Sequence, residues 1–406
     1  MGKNQSKLWL FVAGGALILI IAAGILLSNG GKSKGKSGKS GSSDISGTGD
    51  PTQNPGNSGN SGKIGADGLP EDGVTPEFLL AQYKEWAQYP PNSRPITNDH
   101  RDIVFPFVIE VPALMMADDP NSKELNNYKC HLQPKTWAVI GPNADMYVKL
   151  ECKDPTMATI PVQVLDHKVW REKEWDGTRA STVRADFNDD GRDGDETAKD
   201  NVITFKWRPT KNDWGNITIE ADIVYAKNKK AKVTTHFFSS PNKPAEVTGT
   251  FRESTNEGSL IIHSTVVAYK AGTYHLEANL KEAKEGNFLA YATFDGPLKQ
   301  GTNEVDFLYF GKILKDKGYD GPYIITDVRG HRVNLPIDPE WANQGEAGLK
   351  KIQAAKSTEP DKELVIPFRE EYKTKPYMIS VFAGKEWESA EKSARIKELQ
   401  SMASSK

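Results

Sequence analysis

The feature that most constrains this chain is an uncharged apolar run near its N-terminus. Residues 8–27 read LWLFVAGGALILIIAAGILL, twenty positions without a charged side chain. At about 1.5 Å of rise per residue, a helix of this length matches the hydrocarbon core of a bilayer, roughly 30 Å thick. A secretory signal has a shorter apolar region and a small-x-small cleavage site, whereas this run ends in Leu-Leu-Ser-Asn. We therefore predict an uncleaved transmembrane helix over residues 8–28, after a cytoplasmic stub of residues 1–7.

The segment after this run has the composition of a flexible tether. Residues 29–75 are rich in glycine, serine, lysine and asparagine and contain no aromatic residue. Such a segment buries too little apolar surface to offset its ordering entropy. A random coil of this length reaches roughly 40 Å. We predict a disordered linker.

The charges around the apolar run do not fix its orientation. Lys3 and Lys7 precede it, and four lysines follow within residues 32–39, so the positive-inside rule alone favours the reverse placement. A cysteine pair and candidate calcium ligands further along suit an oxidising, calcium-accessible compartment. We predict a single-pass protein of the bacterial inner membrane, with most of the chain in the periplasm or extracellular space.

A helix is predicted where the linker ends. Thr75 can cap it, Pro76 suits its first turn and Glu77 favours the positive end of the helix dipole. An apolar face formed by Leu79, Tyr83 and Trp86 is expected to pack on the first β-rich block.

The rest of the chain indicates a mainly β fold. Short β-rich runs follow one another from residue 102, and GTYHLEANL at 272–280 alternates strictly between buried and exposed positions. Their number and spacing are typical of immunoglobulin-like sandwiches. We predict two tandem β-sandwiches, residues 76–240 with the N-terminal helix and residues 241–345, followed by a polar tail over 346–406 with a C-terminal helix. The predicted strands are 102–111, 137–140, 146–152, 160–170, 202–208, 215–225 and 232–238 in the first block, six more in the second, and 364–368 in the tail.

The chain contains two cysteines, Cys130 and Cys152. Two buried thiols, part of a metal site or one disulfide are possible, and a zinc site needs further ligands nearby. We favour a disulfide, which would stabilise the fold by about 3 kcal/mol in the chain-entropy model.

The segment DFNDDGRDGDETAKD, residues 186–200, is the most specific local signal. Its opening repeats the D-x-N-x-D-G pattern of oxygen-rich calcium loops. Thr197 occupies the position of the bidentate glutamate, so the segment is not an EF-hand. Crowded carboxylates repel one another without a cation, and we predict calcium in another geometry, a solvated acidic loop being the alternative. The predicted ligands are Asp186, Asn188, Asp190, Asp195 and Asp200.

Charge and motifs exclude several function classes. The net charge of −2 is spread over intermixed acids and bases, so nucleic acid is not an expected partner. The common hydrolase, zinc-protease and nucleotide-binding motifs are missing from the sequence. His263 and His275 fall inside predicted strands and are expected on surface faces. No catalytic residue or organic cofactor is predicted.

Two segments resemble a known family. The first, within 310–323, contains Phe310, Gly311, Ile313, Gly318, Asp320, Gly321, Pro322 and Tyr323. The second contains Asp189, Asp190, Gly191, Gly194, Asp195 and Asp200. Both resemble uncharacterised proteobacterial envelope proteins with a choice-of-anchor X, immunoglobulin-like domain, and the similarity extends over most of residues 76–395. Lys199 stands where that family usually has a small residue, which weakens the calcium inference.

The resemblance implies surface or membrane attachment rather than a particular reaction. We therefore expect a non-catalytic binding or scaffolding module in the envelope, anchored in the membrane, whose partner is an envelope protein or surface polymer. The alternative is an envelope hydrolase with a site between the two sandwiches, which a deep apolar pocket with converging acids and a histidine would favour.

Overall fold

The computed structural model describes residues 74–117, 125–172, 179–334, 341, 344–354 and 360–404. These residues belong to one compact unit spanning Gly65–Lys406. The predicted membrane span and the linker as far as residue 73 lie outside the described residues. Among the helices that are described, none is long and apolar enough to cross a membrane.

The expectation of a mainly β chain is confirmed. The strands predicted between residues 137 and 238 and in the second block are present, and they form four sheets that are almost entirely antiparallel. Alternation explains the agreement. In Gly215–Tyr225, for example, Ile219, Ala221 and Ile223 are fully buried, whereas Glu220 and Asp222 between them are partly exposed.

Two sheets enclose the first core. Sheet I has the order β2-β3-β5-β10-β9 with β6 beside β5, and sheet II has the order β4-β12-β11-β7-β8. Phe205 and Trp207 from sheet I pack in one cluster with Ile217 and Ile219 from sheet II. The strands are β2 (Leu114–Ala117), β3 (Leu125–Pro134), β4 (Ala138–Ile140), β5 (Met146–Lys153), β6 (Thr159–Ile160), β7 (Val162–Glu172), β8 (Arg179–Ser181), β9 (Asp186–Asn188), β10 (Ile203–Trp207), β11 (Gly215–Tyr225) and β12 (Lys229–Ser240).

A second core lies between the other two sheets. Sheet III has the order β1-β16-β15-β18-β19 with β20 beside β18, and sheet IV has the order β13-β14-β17. Tyr274 and Leu276 from sheet III meet Ile262 and Phe307 from sheet IV. The strands are β1 (Ser93–Pro95), β13 (Ala245–Asn256), β14 (Ser259–Ala268), β15 (Gly272–Glu282), β16 (Phe288–Leu298), β17 (Gly301–Tyr309), β18 (Tyr323–Val333), β19 (Lys362–Leu364) and β20 (Tyr372–Lys373).

Helix α1 (Pro76–Trp86) begins as predicted, since the Thr75 hydroxyl accepts a hydrogen bond from the Phe78 N–H at 3.2 Å. The expected packing of its apolar face on the first block is wrong. Helix α1 packs along the C-terminal helix, Trp86 is 65% exposed, and Tyr89 just beyond it packs against the second core. Strand pairing explains this placement, because β1 adds to β16 with Ser93 opposite Ala292.

The predicted strand over residues 102–111 is also wrong. The segment forms helix α2 (Arg101–Val104) and then an irregular stretch. Pro106 removes a backbone donor from its middle. In addition, the Ile103 carbonyl accepts a hydrogen bond from the Asn279 side chain at 2.7 Å, so the segment lies against sheet III without joining its ladder.

The C-terminal region joins the second body. It contains α3 (Gly311–Lys317), which precedes β18, then α4 (Gly345–Ala354), a 3-10 turn (Ile379–Val381) and α5 (Ala390–Ser404). Of the strand predicted at 364–368, Leu364 is in β19 and the residues beyond it make isolated bridges. Residues 93–95, 362–364 and 372–373 are thus strands of sheet III although they lie outside residues 241–345.

One segment ties the two bodies together. The Leu364 N–H donates to the Ser240 hydroxyl at 2.8 Å, and the Ile366 N–H donates to the Ala245 carbonyl at 3.0 Å. A Cβ added at Gly141 would lie 2.7 Å from Ile366 Cδ1. The junction is therefore closely packed.

Candidate functional site

The acidic segment forms a loop between β9 and β10 at the edge of sheet I. Its backbone turns through left-handed conformations at Gly191, Asp193 and Gly194. A Cβ at Gly194 would lie 2.1 Å from the ring of Tyr147, so only glycine fits there. The neighbouring strand thus dictates the path of the loop.

This path gathers three carboxylates. One oxygen each from Asp189, Asp195 and Asp200 lies within 4.8 Å of the others. Asp195 is 8% exposed and accepts hydrogen bonds from the Gly191 N–H at 2.6 Å and the Thr204 hydroxyl at 3.4 Å. Such oxygens are the ligands that hard cations such as Ca²⁺ prefer.

The structure brings together only part of the predicted ligand set. Asp195 and Asp200 belong to this group of carboxylates, whereas Asp186 and Asp190 do not. The side chain of Asn188 contacts Asp190. Asp189 was missed because the alternating pattern places it between two predicted ligands. Its carboxylate accepts the backbone N–H groups of Asp200 and residue 201 at 3.2 and 3.3 Å, which closes the loop.

Basic side chains on sheet I offset much of the acidity nearby. Lys206 contacts Asp193 at 2.5 Å, and Arg208 makes two hydrogen bonds to Asp145 at 2.6 and 2.7 Å. The hydrogen bond from Arg208 holds the pKa of Asp145 below its ordinary value. Carboxylates paired with basic side chains do not need a metal ion to offset their charge, so these contacts are consistent with the alternative of a solvated acidic loop.

A concavity of about 320 Å³ adjoins this loop, and its lining includes Asp195, Asp200, His131 and Glu151. Another, of about 410 Å³, lies between α1 and α5 and is lined by charged residues such as Lys84 and Glu386. Most of the side chains that line these two concavities are polar or charged.

The predicted disulfide between Cys130 and Cys152 is confirmed. The two residues are directly opposite each other on β3 and β5, and both side chains are buried in the first core. Strand β3 itself was not predicted, because its inward residues are only Cys130, Leu132 and Pro134 among polar neighbours. The alternation of Cys130, Leu132 and Pro134 with polar residues was the sequence signal that could have predicted this strand.

Sheet IV carries a second polar group that sequence reasoning missed. His263 on β14 contacts the Ser254 hydroxyl through Nε2 at 2.8 Å and Asp306 through Nδ1 at 2.6 Å. Glu304 lies beside Asp306 and binds Arg252 at 2.6 and 2.9 Å. These residues come from three neighbouring strands. Their spacing in the sequence therefore does not predict that they lie together.

Sheet III carries a third group, around His275. Its Nδ1 contacts Asp295 at 2.7 Å and its Nε2 contacts Glu277 at 2.9 Å. Burial acts to raise the pKa of Glu277, but the hydrogen bond with His275 and the charge of Arg329 prevail and lower it to about 2. Burial lowers the pKa of the neighbouring His331 to about 3. This group is a charge network with no adjoining pocket among the concavities described above.

The fold that these groups occupy is mainly β, with several antiparallel sheets and short helices at both ends of the described part. No family model and no curated protein matches the chain.

The chain is similar to several solved structures. A DUF4785 family protein from Legionella pneumophila is 14% identical, with 61% of this chain and 57% of that one covered and a TM-score of 0.38. The chicken interferon gamma receptor alpha chain is 8% identical, with 59% and 96% covered and a TM-score of 0.19. The adhesin InvE of Yersinia pseudotuberculosis is 10% identical, with 52% and 60% covered and a TM-score of 0.17. This chain thus spans a little over half the length of the Legionella structure, and similarities this distant carry no conclusion about function.

Proposed function

We propose that this chain is a membrane-anchored envelope protein whose two immunoglobulin-like β-sandwiches act mainly in binding or scaffolding. It is held by the apolar segment at residues 8–28, and its partner is an envelope protein or a surface polymer. The resemblance to choice-of-anchor X proteins is part of this proposal.

The observation that carries the proposal is the disulfide. Cys130 and Cys152 are bonded across adjacent strands inside the first core. Structural disulfides persist in oxidising compartments such as the periplasm and are rare in the cytosol. Together with a twenty-residue apolar run ahead of the folded part, this bond supports export of everything beyond the run.

The surface also supports binding over catalysis in a cleft. Small-molecule sites are usually concave and mostly apolar, whereas the concavities beside the acidic loop and between α1 and α5 are lined mainly by polar and charged side chains. Rigid sheets that carry loops at their ends are suited to presenting a binding surface. The segment around Leu364 supports the two bodies acting as one unit, since it hydrogen-bonds to both.

Calcium remains a proposed ligand of the acidic loop. We assign it to the oxygens of Asp189, Asp195 and Asp200, which the loop already gathers. Bound there, the ion would screen the repulsion among the three carboxylates and hold the edge of sheet I.

A hydrolase site between the two sandwiches is not favoured by any observation. Across the junction, a Cβ at Gly141 would lie 2.7 Å from Ile366 Cδ1, and the Leu364 N–H donates to the Ser240 hydroxyl at 2.8 Å, so the two bodies are closely packed at these residues.

Membrane topology is the sharpest test of the proposal. Lys299 is exposed in the turn between β16 and β17, so a Lys299→Cys variant offers a free thiol while Cys130 and Cys152 stay bonded. We expect a membrane-impermeant maleimide to label this variant in intact spheroplasts, and to label the matched Lys3→Cys variant only after lysis. Labelling in the opposite order, or recovery of the chain in the soluble fraction, would refute the proposed anchorage.

The binding role has its own test. Affinity capture of the full chain from crosslinked membranes should recover the same envelope protein or polymer repeatedly, with the crosslinks mapping to the two sandwiches. Crosslinks confined to the apolar segment would contradict a binding role for the folded part.

A further inference from the structure

On the outer face of sheet IV, a serine hydroxyl contacts a histidine ring, which in turn contacts an aspartate carboxylate, as in a hydrolytic triad. Ser254 on β13, His263 on β14 and Asp306 on β17 project from the face opposite to the core, since the inward positions of these strands, such as Ile262 and Phe307, are buried. His263 pairs directly with Asp306 across the sheet, and Ser254 lies diagonally opposite on the other side.

The contacts among them match the requirements for activating a hydroxyl. The carboxylate of Asp306 lies 2.6 Å from Nδ1 of His263, which places the proton on Nδ1. Nε2 then accepts from the Ser254 hydroxyl at 2.8 Å. An acid that orients an imidazole, which in turn accepts the proton of a hydroxyl, is the arrangement that recurs in serine hydrolases on unrelated folds.

We propose that Ser254 is a nucleophile that cleaves carboxylic esters, with His263 as the general base and Asp306 as the positioning residue. This activity is separate from the binding function proposed above and departs from the expectation that the chain is not an enzyme. It also lies away from the junction between the two bodies.

The reaction balances with water as the only co-reactant. The Ser254 oxygen attacks the ester carbonyl carbon while its proton passes to Nε2 of His263. The bond from carbon to the leaving oxygen then breaks, and Nε2 returns the proton to the departing alcohol. Water attacks the acyl-serine by the same two proton transfers, releasing a carboxylic acid and restoring the serine.

The surroundings define the substrate class. The face is an open sheet surface, so the ester must be reachable from solvent, as in a small acyl ester or an acyl group displayed on a polymer. Arg252, two residues before Ser254 on the same strand face, is the nearby cation, and Glu304 binds its guanidinium at 2.6 and 2.9 Å. A cation already paired stabilises a developing oxyanion weakly, so we expect a slow enzyme.

A metal ion is the competing occupant of the same residues. His263, Glu304 and Asp306 each offer one ligand atom within 4.8 Å of the others. Metal binding through Nδ1 would displace its proton and its hydrogen bond with Asp306, and Glu304 would have to share its oxygens between the metal and Arg252. The triad needs neither change, and the observed contacts therefore favour it.

The full chain can be tested with a fluorophosphonate probe and with p-nitrophenyl acetate. We expect the probe to label Ser254, as located by peptide mass spectrometry, and Ser254→Ala to lose both labelling and ester turnover. His263→Gln should lower the labelling rate by about 10²-fold, the usual contribution of a general base. Asp306→Asn should also lower it, because an amide that donates to Nδ1 imposes the wrong tautomer.

The chain supplies a matched control. His236 contacts the Thr218 hydroxyl at 2.8 Å on sheet II, so it forms a hydroxyl–imidazole pair away from the proposed site. His236→Gln should leave the labelling of Ser254 unchanged, and unchanged melting curves should show that each variant is folded. Labelling elsewhere, equal labelling of Ser254→Ala, or zinc binding that depends on His263 and Asp306 without any labelling of Ser254 would each overturn the proposal.

Discussion

Breaking the disulfide should selectively destabilise the first body. The bond joins residues 22 apart in sequence, and the chain-entropy model gives about 3 kcal/mol for a loop of that size. For a body of this size, about 3 kcal/mol corresponds to a fall of about 10 °C in melting temperature. The double variant Cys130→Ala/Cys152→Ala should lose somewhat more, because both sulfurs are also buried in the core.

Guanidinium unfolding of the full chain in detergent provides the measurement. Ile217 and Ile219 are fully buried in the first core, so hydrogen exchange of peptides from β11 follows that body. Hydrogen exchange of peptides from β15 reports the second body as an internal control. Oxidised and reduced wild type differ only in the crosslink, so comparing them isolates its contribution. Reduced wild type and the double variant differ only in the packing of the two sulfurs.

Two results would refute this reasoning. Coincident unfolding of oxidised and reduced wild type would mean that the crosslink does not constrain the unfolded chain. An equal loss of protection in β15 would mean that the two bodies unfold as one, so that the effect cannot be assigned to the first core.

Three further predictions concern the acidic loop and the charge network of sheet III. Gly194→Ala should lower the free energy of unfolding by about 2 kcal/mol or more, because its Cβ would clash with Tyr147. The control Gly215→Ala, with a similar φ and nothing within 4 Å of its Cβ, should be less destabilised. Equal losses of stability in chemical denaturation would contradict the clash. Saturating EDTA should lower the melting temperature of wild type but not of Asp195→Asn. An unchanged wild-type melting curve would contradict calcium binding by the acidic loop. Burial lowers the pKa of His331 to about 3, so below about pH 6.5 the unfolded chain binds a proton that the folded chain does not. The free energy of unfolding should therefore fall from about pH 6.5 towards pH 3, by up to about 1.4 kcal/mol per pH unit. His331→Gln should reduce this slope in denaturation measured across that range.

Local sequence patterns were sufficient to predict a strand where that strand buries one of its two faces. Strand β11 has the predicted bounds, Gly215–Tyr225, and β15 contains the predicted alternating run. The pattern was misleading at residues 102–111, where the Ile103 carbonyl accepts a hydrogen bond from the Asn279 side chain and the segment does not enter the ladder of sheet III. It was too faint at β3, where polar residues separate Cys130 from Leu132.

The sequence by itself determined the mainly β character, the capped start of α1 at Thr75 and which two cysteines could form a disulfide. These features depend on the period of the side chains, on a single capping residue or on a count, all of which are local or compositional.

Only the tertiary structure decided which distant segments became neighbours. It placed Ser93 beside Ala292, closed the loop on Asp189, and brought His263 to Asp306 across 43 residues. Strand partners and register depend on how whole sheets bury their faces against each other, so contacts between strands, including those of the proposed triad, are absent from any local pattern.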